Sequence, residues 1–261
     1  MEYTVITGAC GGLGGAYAEA LAARGEKLLL LGRDIHRLAQ LRVKLCARFG
    51  VEPMIYALDL TKEEERIAFA ESLTQRGVRV HRLINAAGVD VQKALCEYTE
   101  EKIAFQCRVN FEAAVSLCRL AIEKRGKTLE IINVSSVSGI YPMPYFAIYS
   151  ATKRALWSFS VALREEVKGQ HVKVTAVLPG AMPTREDIKE QIKGQGLWGK
   201  LAAKSPAFVA EKSLRAVRKN KRTYIPGFWN KVMYFFTRLI PLSWKLKFIA
   251  RRWSKISKDA F

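Results

Sequence analysis

The chain has 261 residues, of which 49% are hydrophobic and 26% are charged, and this composition excludes the disordered and fibrous classes of protein. A chain of this length can bury one sizeable core. It carries 43 Lys and Arg against 24 Asp and Glu, a net charge of +19 that favours acidic partners. Fourteen of those basic residues but only one acidic residue lie between Lys212 and Phe261, so the excess charge is concentrated there.

The N-terminus and the cysteines bear on the compartment. A strand-like run, Tyr3–Thr7, follows Met1 almost directly and leaves no room for a secretory leader. No run reaches the roughly 18 consecutive apolar residues of a membrane-spanning helix. The five cysteines lack CxxC spacing, which argues against a disulfide framework or a metal site. We therefore expect a cytoplasmic protein that binds no metal.

Short apolar runs alternate with segments of helical periodicity along the chain. Runs that are apolar throughout, such as Leu28–Leu31, are typical of parallel strands covered on both faces. The alternation predicts a doubly wound α/β domain that spans residues 1–261. Its predicted strands are Tyr3–Thr7, Lys27–Leu31, Met54–Ala57, Leu83–Asn85, Leu129–Val134, Lys173–Leu178 and a weak one near Tyr224 and Ile225.

Glycines cluster directly after the first predicted strand, in the sequence TGACGGLG at residues 7–14. A helix-forming stretch follows from Ala16 to Arg24. Glycines in such a turn let the backbone approach a pyrophosphate, and the N–H groups at the helix N-terminus bind the anion. A plain glycine turn is the alternative, but the strand before it and the helix after it favour a dinucleotide site.

The second predicted strand ends without the carboxylate that an NAD-selective protein uses to bind the ribose 2′-hydroxyl. Gly32 and Arg33 stand there instead, and Arg33 can pair with the 2′-phosphate of NADP(H). Two alternatives remain open: Asp34 turns toward the ribose, or Arg33 is a solvated surface charge. We predict NADP(H) as the cofactor. Three residues that follow later strands are expected to line the same crevice: Asp59, Leu60 and Asn85.

A tyrosine and a lysine lie one helical turn apart in the segment YSATK, residues 149–153. A cation in this position favours the phenolate and lowers the pKa of a tyrosine toward the working range of an acid–base catalyst. Ser136 ends the fifth predicted strand 13 residues before Tyr149, and Asn110 lies in the preceding helical segment. We expect Tyr149 to move the proton, Lys153 to supply the charge and Ser136 to donate to the substrate oxygen.

The motifs TGACGGLG, NAAG, NVSSVSG and YSATK, together with Asn110 and Pro179-Gly180, resemble in this order the classical short-chain dehydrogenase/reductase family. The resemblance covers about residues 3 to 185. It implies a Rossmann-type doubly wound parallel sheet of seven strands with helices on both faces. It also implies a catalytic tetrad: Asn110, Ser136, Tyr149 and Lys153.

One motif departs from the family, since NAAG stands where NNAG is usual; this affects the cofactor-side turn but no catalytic group. The 13-residue spacing to Tyr149 favours Ser136 over Ser135. We expect Asn110 to hold a water that links Lys153 to solvent, and the protein to be a homodimer or homotetramer. The expected cofactor contacts are Gly8, Cys10, Gly12, Leu13, Gly14, Arg33, Asp59, Leu60, Asn85, Tyr149, Lys153, Pro179, Gly180 and Thr184.

The segment between the catalytic serine and tyrosine, residues 137–146, is apolar and aromatic and predicts an apolar substrate pocket. Residues 181–205 are expected to form a mobile substrate loop, with Leu197 and Trp198 as its lid; an exposed loop with a stray tryptophan is the alternative. We expect a steroid or fatty-acyl ketone or alcohol. The chain resembles the hydroxysteroid dehydrogenase and 3-ketoacyl reductase branch of the family.

Residues 228–261 are predicted to form a basic amphipathic extension of two helices, one on each side of Pro241. Basic residues flank Trp244 and Trp253, a composition suited to peripheral contact with an anionic membrane. A helix pair that covers the substrate cleft is the alternative, and no recognition module indicates nucleic acid. The apolar residues of the two patterns are Val232, Phe235, Phe236, Leu239 and Ile240, then Leu242, Leu246, Ile249, Trp253 and Ile256.

The sequence therefore predicts an NADP(H)-dependent enzyme that interconverts a ketone and a secondary alcohol. Two functions of other classes remain beside it. One is a cofactor-binding scaffold without turnover. The other is an adaptor that acts at a membrane surface or on nucleic acid through the basic extension.

Overall fold

The computed structural model describes residues 1–184 and 202–254. Within these ranges seven strands form one parallel sheet in the order β3-β2-β1-β4-β5-β6-β7, which confirms the predicted fold class. The strands are β1 (Glu2–Thr7), β2 (Leu28–Gly32), β3 (Met54–Ala57), β4 (Arg79–Asn85), β5 (Arg125–Val134), β6 (Val172–Val177) and β7 (Thr223–Tyr224).

Helices connect the strands, and side chains fix where several of them begin. Asp34 accepts hydrogen bonds from the backbone N–H groups of His36 and Arg37 and so starts the second helix. Ser205 caps the seventh helix in the same way. The helices are α1 (Gly12–Ala22), α2 (Ile35–Phe49), α3 (Glu63–Gln75), α4 (Glu100–Cys107), α5 (Ala113–Glu123), α6 (Ala147–Glu166), α7 (Pro206–Arg218), α8 (Phe228–Leu239) and α9 (Leu242–Trp253).

The core consists of two apolar layers, one on each face of the sheet. Leu29 and Leu31 of β2 pack in the layer that contains Phe69, while Leu28 and Leu30 pack in the opposite layer. Successive side chains of a strand point to opposite faces, so the unbroken leucine run buries all four side chains. The continuous apolar pattern in the sequence therefore reports a strand covered by helices on both sides.

The strand order places the predicted motifs together. The chain passes from β1 to β2 on one side and returns to put β4 on the other side of β1, so the sheet has a switch point between β1 and β4. The glycine turn follows β1, the NAAG turn begins at the end of β4, Ser136 follows β5 and Pro179 follows β6. All four lie at the carboxyl ends of the strands.

A polar network stabilises the opposite end of the sheet. Arg82 is buried, pairs with Glu26, and donates to Glu130 at 2.8 Å. Glu26 also accepts from the Thr4 hydroxyl at 3.0 Å and lies 3.4 Å from His81 Nε2. Burial alone would raise the pKa of Glu26, but the hydrogen bond with His81, the charge of Arg82 and the Thr4 hydroxyl together lower it to about 2.

The first prediction concerns the pH dependence of folding. Because the pKa of Glu26 is lower in the folded chain than the ordinary value of 4.5, its charge stabilises the fold above about pH 4.5, and that stabilisation is lost as the pH falls toward 2. Between about pH 5 and pH 2, we expect the unfolding free energy of the unmodified chain to fall on the order of 3 kcal/mol more than that of Glu26→Gln. Urea unfolding at a series of pH values measures the difference.

Glu52→Gln is the matched control, because Glu52 pairs with Arg42 at the surface and its side chain is 74% exposed. We expect this variant to follow the pH dependence of the unmodified chain. Parallel pH profiles for Glu26→Gln and the unmodified chain would contradict the role of Glu26.

Candidate active site

A cleft of about 680 Å³ opens at the carboxyl ends of the strands. The glycine turn and Thr184 line one part of it, and Ser136, Tyr149 and Lys153 line another. Ten of the fourteen expected cofactor residues line this cleft: Gly8, Cys10, Gly12, Leu13, Gly14, Tyr149, Lys153, Pro179, Gly180 and Thr184.

The glycine turn is packed so tightly that side chains would not fit. Gly8 has a φ of 62°, and a Cβ built on it would lie 2.9 Å from the Cα of Ala87. A Cβ on Gly14 would overlap the carbonyl oxygen of Gly8. The Thr7 hydroxyl accepts hydrogen bonds from the backbone N–H groups of Ala86 and Ala87, both at 3.0 Å. The turn is therefore tied directly to the NAAG segment.

Helix α1 presents its N-terminus to the same cleft. Its N-cap, Gly11, makes no side-chain capping bond, and the first turn contains no acidic residue. The backbone N–H groups of a first helical turn lack partners within the helix and carry the positive end of its dipole. A Cβ on Gly12 would lie 2.7 Å from the Thr184 side chain, so a larger residue at this position would displace Thr184. These features fit the pyrophosphate of a dinucleotide.

Helix α6 places Tyr149 and Lys153 on one face. The Lys153 Nζ lies 5.7 Å from the centroid of the Tyr149 ring and donates to the Val134 carbonyl at 3.1 Å. Lys153 is only 4% exposed. Burial lowers the pKa of Lys153 to about 8, while the charge of Asp90 acts in the opposite direction. At neutral pH, Lys153 therefore remains a cation beside the tyrosine.

The two adjacent serines do different things. The Ser135 hydroxyl donates to the Lys153 carbonyl at 2.6 Å and holds α6 against the sheet. Ser136 lines the cleft, and its hydroxyl oxygen accepts from the Ser138 N–H at 3.1 Å. A hydroxyl that accepts this bond can still donate its own proton. The arrangement thus favours Ser136 as the donor to a substrate oxygen.

Asn110 lies in a π-helical turn, Arg108–Glu112, between α4 and α5. Its side-chain oxygen accepts from the Val89 N–H at 2.8 Å, and its Nδ2 donates to the Val89 carbonyl at 2.9 Å and to the Thr152 hydroxyl at 3.2 Å. The side chain therefore ties the segment after β4 to the catalytic helix. The side-chain oxygen keeps a second lone pair that can accept from a water, and the water expected at Asn110 stays a prediction.

Four expected cofactor residues do not line the cleft: Arg33, Asp59, Leu60 and Asn85. The Arg33 guanidinium lies over the Phe105 ring, 5.5 Å from its centroid. The Asn85 Nδ2 donates to the Asn133 side chain at 2.8 Å inside a buried network, and Leu60 belongs to the core. Asp59 accepts from the backbone and the hydroxyl of Thr61. Each of these side chains has contacts within the protein, and their roles toward the cofactor stay predictions.

The cleft also contains residues that the sequence did not single out. Arg37 lines it, and its Nη2 donates to the Cys10 carbonyl at 3.2 Å. Gln92 is 3% exposed and lines the cleft, while its Nε2 has no hydrogen-bond partner among the described residues. The position of Arg37 in the first turn of α2, four residues after Arg33, was a signal for it, and nothing in the sequence pattern indicated Gln92.

Asn230 is a third such residue, and it joins three separate segments. It is 5% exposed, its Nδ2 donates to the carbonyls of Ala202 and Pro226, and a Cβ on Gly180 would lie 2.9 Å from that nitrogen. Helix α8 is thereby fixed against the segment after β6. The predicted lid residues, Leu197 and Trp198, lie outside the described residues.

An aromatic wall forms the substrate side of the cleft. The Phe146 ring stacks on Tyr149 with centroids 4.3 Å apart and on Trp253 of α9 at 5.5 Å. Met143 and Ile249 are buried in the same cluster. One face of α9 therefore covers the cleft, as the helix-pair alternative predicts. In residues 1–184 and 202–254, no group of His, Cys, Asp and Glu could hold a metal ion, and no helix is long and apolar enough to cross a membrane.

A Rossmann-type sheet with a bare glycine turn and a serine, tyrosine and lysine in one cleft defines a class of oxidoreductases. A family model described as short chain dehydrogenase matches residues 2–193. The chain belongs to the short-chain dehydrogenase/reductase family.

Curated relatives include very-long-chain 3-oxoacyl-CoA reductases. The protein from Bos taurus is 35% identical over 193 residues, which cover 70% of this chain and 60% of the bovine protein. The Homo sapiens protein is 31% identical with the same coverage. The chain thus matches about 60% of the length of these relatives. An uncharacterized oxidoreductase from Staphylococcus saprophyticus is 29% identical over 84% of this chain and 92% of its own.

Two of the solved structures with the same fold bear on the cofactor and on the substrate. A short-chain dehydrogenase from Sphingobium yanoikuyae in complex with NADPH is 27% identical, with a TM-score of 0.76 over 92% of this chain and 94% of the other. A bulky-bulky ketone specific alcohol dehydrogenase from Comamonas testosteroni is 25% identical, with a TM-score of 0.74 over 92% and 93%. The glycine turn of this chain fits the pyrophosphate of a nicotinamide dinucleotide, because its bare backbone and open helix N-terminus line the cleft.

The second prediction tests the glycine turn. Gly14→Ala should lower the affinity for a nicotinamide dinucleotide at least about tenfold, because the new methyl group overlaps the Gly8 carbonyl and displaces the turn. Gly15→Ala is the matched control, since its Cβ would lie at an ordinary 3.5 Å from the Ala9 carbonyl oxygen. Fluorescence titration with NADPH and with NADH measures both affinities, and equal affinities for the two variants would contradict the prediction.

Proposed function

We propose that the chain interconverts a ketone and a secondary alcohol with NADP(H), and that Tyr149 is the acid–base catalyst. The observation that supports this proposal most directly is the buried Lys153 ammonium one helical turn from Tyr149, with Ser136 in the same cleft. A scaffold that only binds the cofactor would not need a buried cation beside a phenol, and burial of a charge is costly.

Each residue of the site has its own role in the proposed reaction. When bound, the cofactor supplies or accepts the hydride. During reduction, Ser136 donates a hydrogen bond to the substrate oxygen as negative charge develops there, and Tyr149 gives that oxygen its proton. Lys153 stabilises the resulting phenolate through its charge and can bind the nicotinamide ribose. Asn110 is a positioning residue, because its amide holds Val89 and Thr152 beside the pair.

The proposed substrate is an apolar ketone such as a 3-oxoacyl chain or a steroid. The stacked rings of Phe146 and Trp253, with Met143, give the substrate side an apolar surface. Gln92 borders the cleft, and its buried Nε2, which lacks a hydrogen-bond partner among the described residues, would donate to a second substrate oxygen such as a thioester carbonyl only after rotation of the side chain. The names of the bovine relative and of the Comamonas enzyme support large ketone substrates, and a panel of acyl thioesters, steroids and simple ketones tests the choice.

The third prediction concerns turnover. Tyr149→Phe should reduce kcat at least about 100-fold and leave cofactor affinity unchanged, because only the proton donor is removed. Tyr141→Phe is the matched control, since Tyr141 lines the same cleft and also loses only a hydroxyl. Cofactor absorbance with the best ketone of the panel gives kcat. Retention of more than about a tenth of kcat by Tyr149→Phe would exclude the acid–base role, and tight NADPH binding without turnover of any ketone would favour the scaffold.

The preference for NADP(H) is the finer part of the proposal. One oxygen of the Asp34 carboxylate, Oδ1, is engaged as the N-cap of α2, which holds this side chain against the start of the helix. Arg33 directly follows β2, and Arg37 of α2 lines the cleft. Rotation of the Arg33 side chain away from the Phe105 ring would bring a second guanidinium to a 2′-phosphate.

The fourth prediction follows from these positions. Gly32→Asp combined with Arg33→Ile should shift the ratio of kcat/KM from NADP(H) toward NAD(H) by about one to three decades. A Cβ on Gly32 would lie at an ordinary 3.5 Å from the Leu38 side chain, so the backbone accepts a side chain here. Arg76→Ile at the exposed end of α3 is the control and should not change the ratio. A native preference for NAD(H) would contradict the assignment.

Assembly and location stay predictions. The expected homodimer or homotetramer is tested by light scattering of the purified chain. The expected peripheral position at an anionic membrane depends on the surface of α8 and α9.

A further inference from the structure

Helices α8 and α9 have two unlike faces. Tyr234 and Thr237 of α8 line the cleft, and Ile249 and Trp253 of α9 pack on its aromatic wall. Lys245 joins the helices by donating to the Thr237 carbonyl at 2.9 Å. The inner face of the pair therefore belongs to the site already described, and the outer face has a separate character.

The outer face exposes large apolar side chains. The apolar stripe predicted for α8 points away from the protein, because Asn230, Tyr234 and Thr237 occupy the inner side. An exposed apolar patch of this kind marks an interaction surface. The exposed fractions are Phe228 70%, Phe235 62%, Phe236 59%, Leu239 70%, Trp244 70% and Phe248 66%.

Basic residues accompany these aromatic side chains. Lys247 and Phe248 lie three and four residues after Trp244, and Arg251 lies four and three residues after them, so the four share one side of α9, and all are exposed. Arg252 is exposed beside them, and the sequence has no acidic residue from 228 to 254. The outer face thus combines apolar aromatic surface with positive charge.

We propose that the outer face of α8 and α9 docks on an anionic lipid bilayer and that the cleft takes its apolar substrate from that bilayer. The substrate part rests on the proposed ketone reductase function. Tryptophan and phenylalanine partition into the headgroup region, and lysine and arginine attract anionic lipid. A second copy of the chain is a poorer occupant, because it would bring the same positive face against this one.

The position of α9 explains why docking would serve the reaction. Trp253 stacks in the cleft, whereas Trp244 and Phe248 are exposed on the same helix. A helix with its side chains is about 10 to 12 Å across, so the docked surface lies one helix diameter from the aromatic wall. A lipid-dissolved ketone would then reach the cleft without crossing bulk water.

The test is flotation of the full chain with vesicles of phosphatidylcholine alone and of phosphatidylcholine with phosphatidylglycerol, at low and high salt. One variant reverses charge: Lys247→Glu, Arg251→Glu and Arg252→Glu. A second removes apolar surface: Phe235→Ser, Trp244→Ser and Phe248→Ser. The matched control reverses three exposed charges at the opposite end of the sheet: Arg76→Glu, Arg79→Glu and Lys127→Glu.

We expect the unmodified chain and the control to float with the anionic vesicles at low salt. The charge variant should partition at least about tenfold more weakly, and the apolar variant should lose the binding that persists at high salt. Retained NADPH affinity and circular dichroism show that the variants are folded. Absence of flotation, or equal flotation of all four proteins, would overturn the proposal. So would binding of duplex DNA together with flotation that the apolar substitutions do not change. So would light scattering in which the apolar variant converts a dimer to a monomer.

A kinetic experiment distinguishes the proposed membrane docking from the proposed ketone reductase function. With a ketone dissolved in anionic vesicles, the charge variant should show a raised apparent KM, while kcat/KM for a water-soluble ketone stays unchanged. If no ketone is turned over, the proposed function fails but the flotation result still decides the docking. Equal kinetics of both proteins with the vesicle-dissolved ketone would overturn the delivery step alone.

Discussion

The site depends on a buried cation, the Lys153 ammonium, held at the carboxyl end of the sheet. Removing an ammonium from water is unfavourable, so the structure must surround it with compensating groups. The Val134 carbonyl accepts from it at 3.1 Å, and the charge of Asp90 opposes the effect of burial on its pKa. Ser135 fixes the helix at this residue, and a Cβ on Gly88 would lie 3.0 Å from Nζ. The surrounding turns are therefore shaped by the requirement to keep one charge buried beside a phenol.

The parallel sheet supplies the turns that meet this requirement. Since the strands are parallel, their carboxyl ends lie at the same edge of the sheet, and turns that are distant in sequence become neighbours there. Thr7 reaches the NAAG segment, Asn110 reaches Val89 and Thr152, and Asn230 reaches Gly180. The catalytic and cofactor ends of the cleft are thus parts of one hydrogen-bonded edge.

Features encoded locally could be predicted from the sequence, whereas the direction of individual side chains could not. Strand runs, the glycine turn and the Tyr149–Lys153 spacing depend on a few adjacent residues, and the structure reproduces the strands and turn and places the pair on one helix face. Arg33 was chosen for the cofactor because it directly follows β2, and its contact with the Phe105 ring of α4 could not be foreseen. Asn85 was expected in the crevice, but its partner Asn133 lies on the neighbouring strand. Such partners are set by tertiary packing.

The C-terminal helices show the same limit at a larger scale. Periodicity locates both helices and their apolar stripes, but it does not say which side of a helix faces the protein. In α9 the stripe with Ile249 and Trp253 packs inward, as an amphipathic helix normally does. In α8 the buried amide of Asn230 takes the inner position and turns the stripe with Phe235 and Leu239 outward. The inner side of α8 is thus occupied by Asn230, Tyr234 and Thr237, and the helix pair has a substrate wall on one side and a basic aromatic surface on the other.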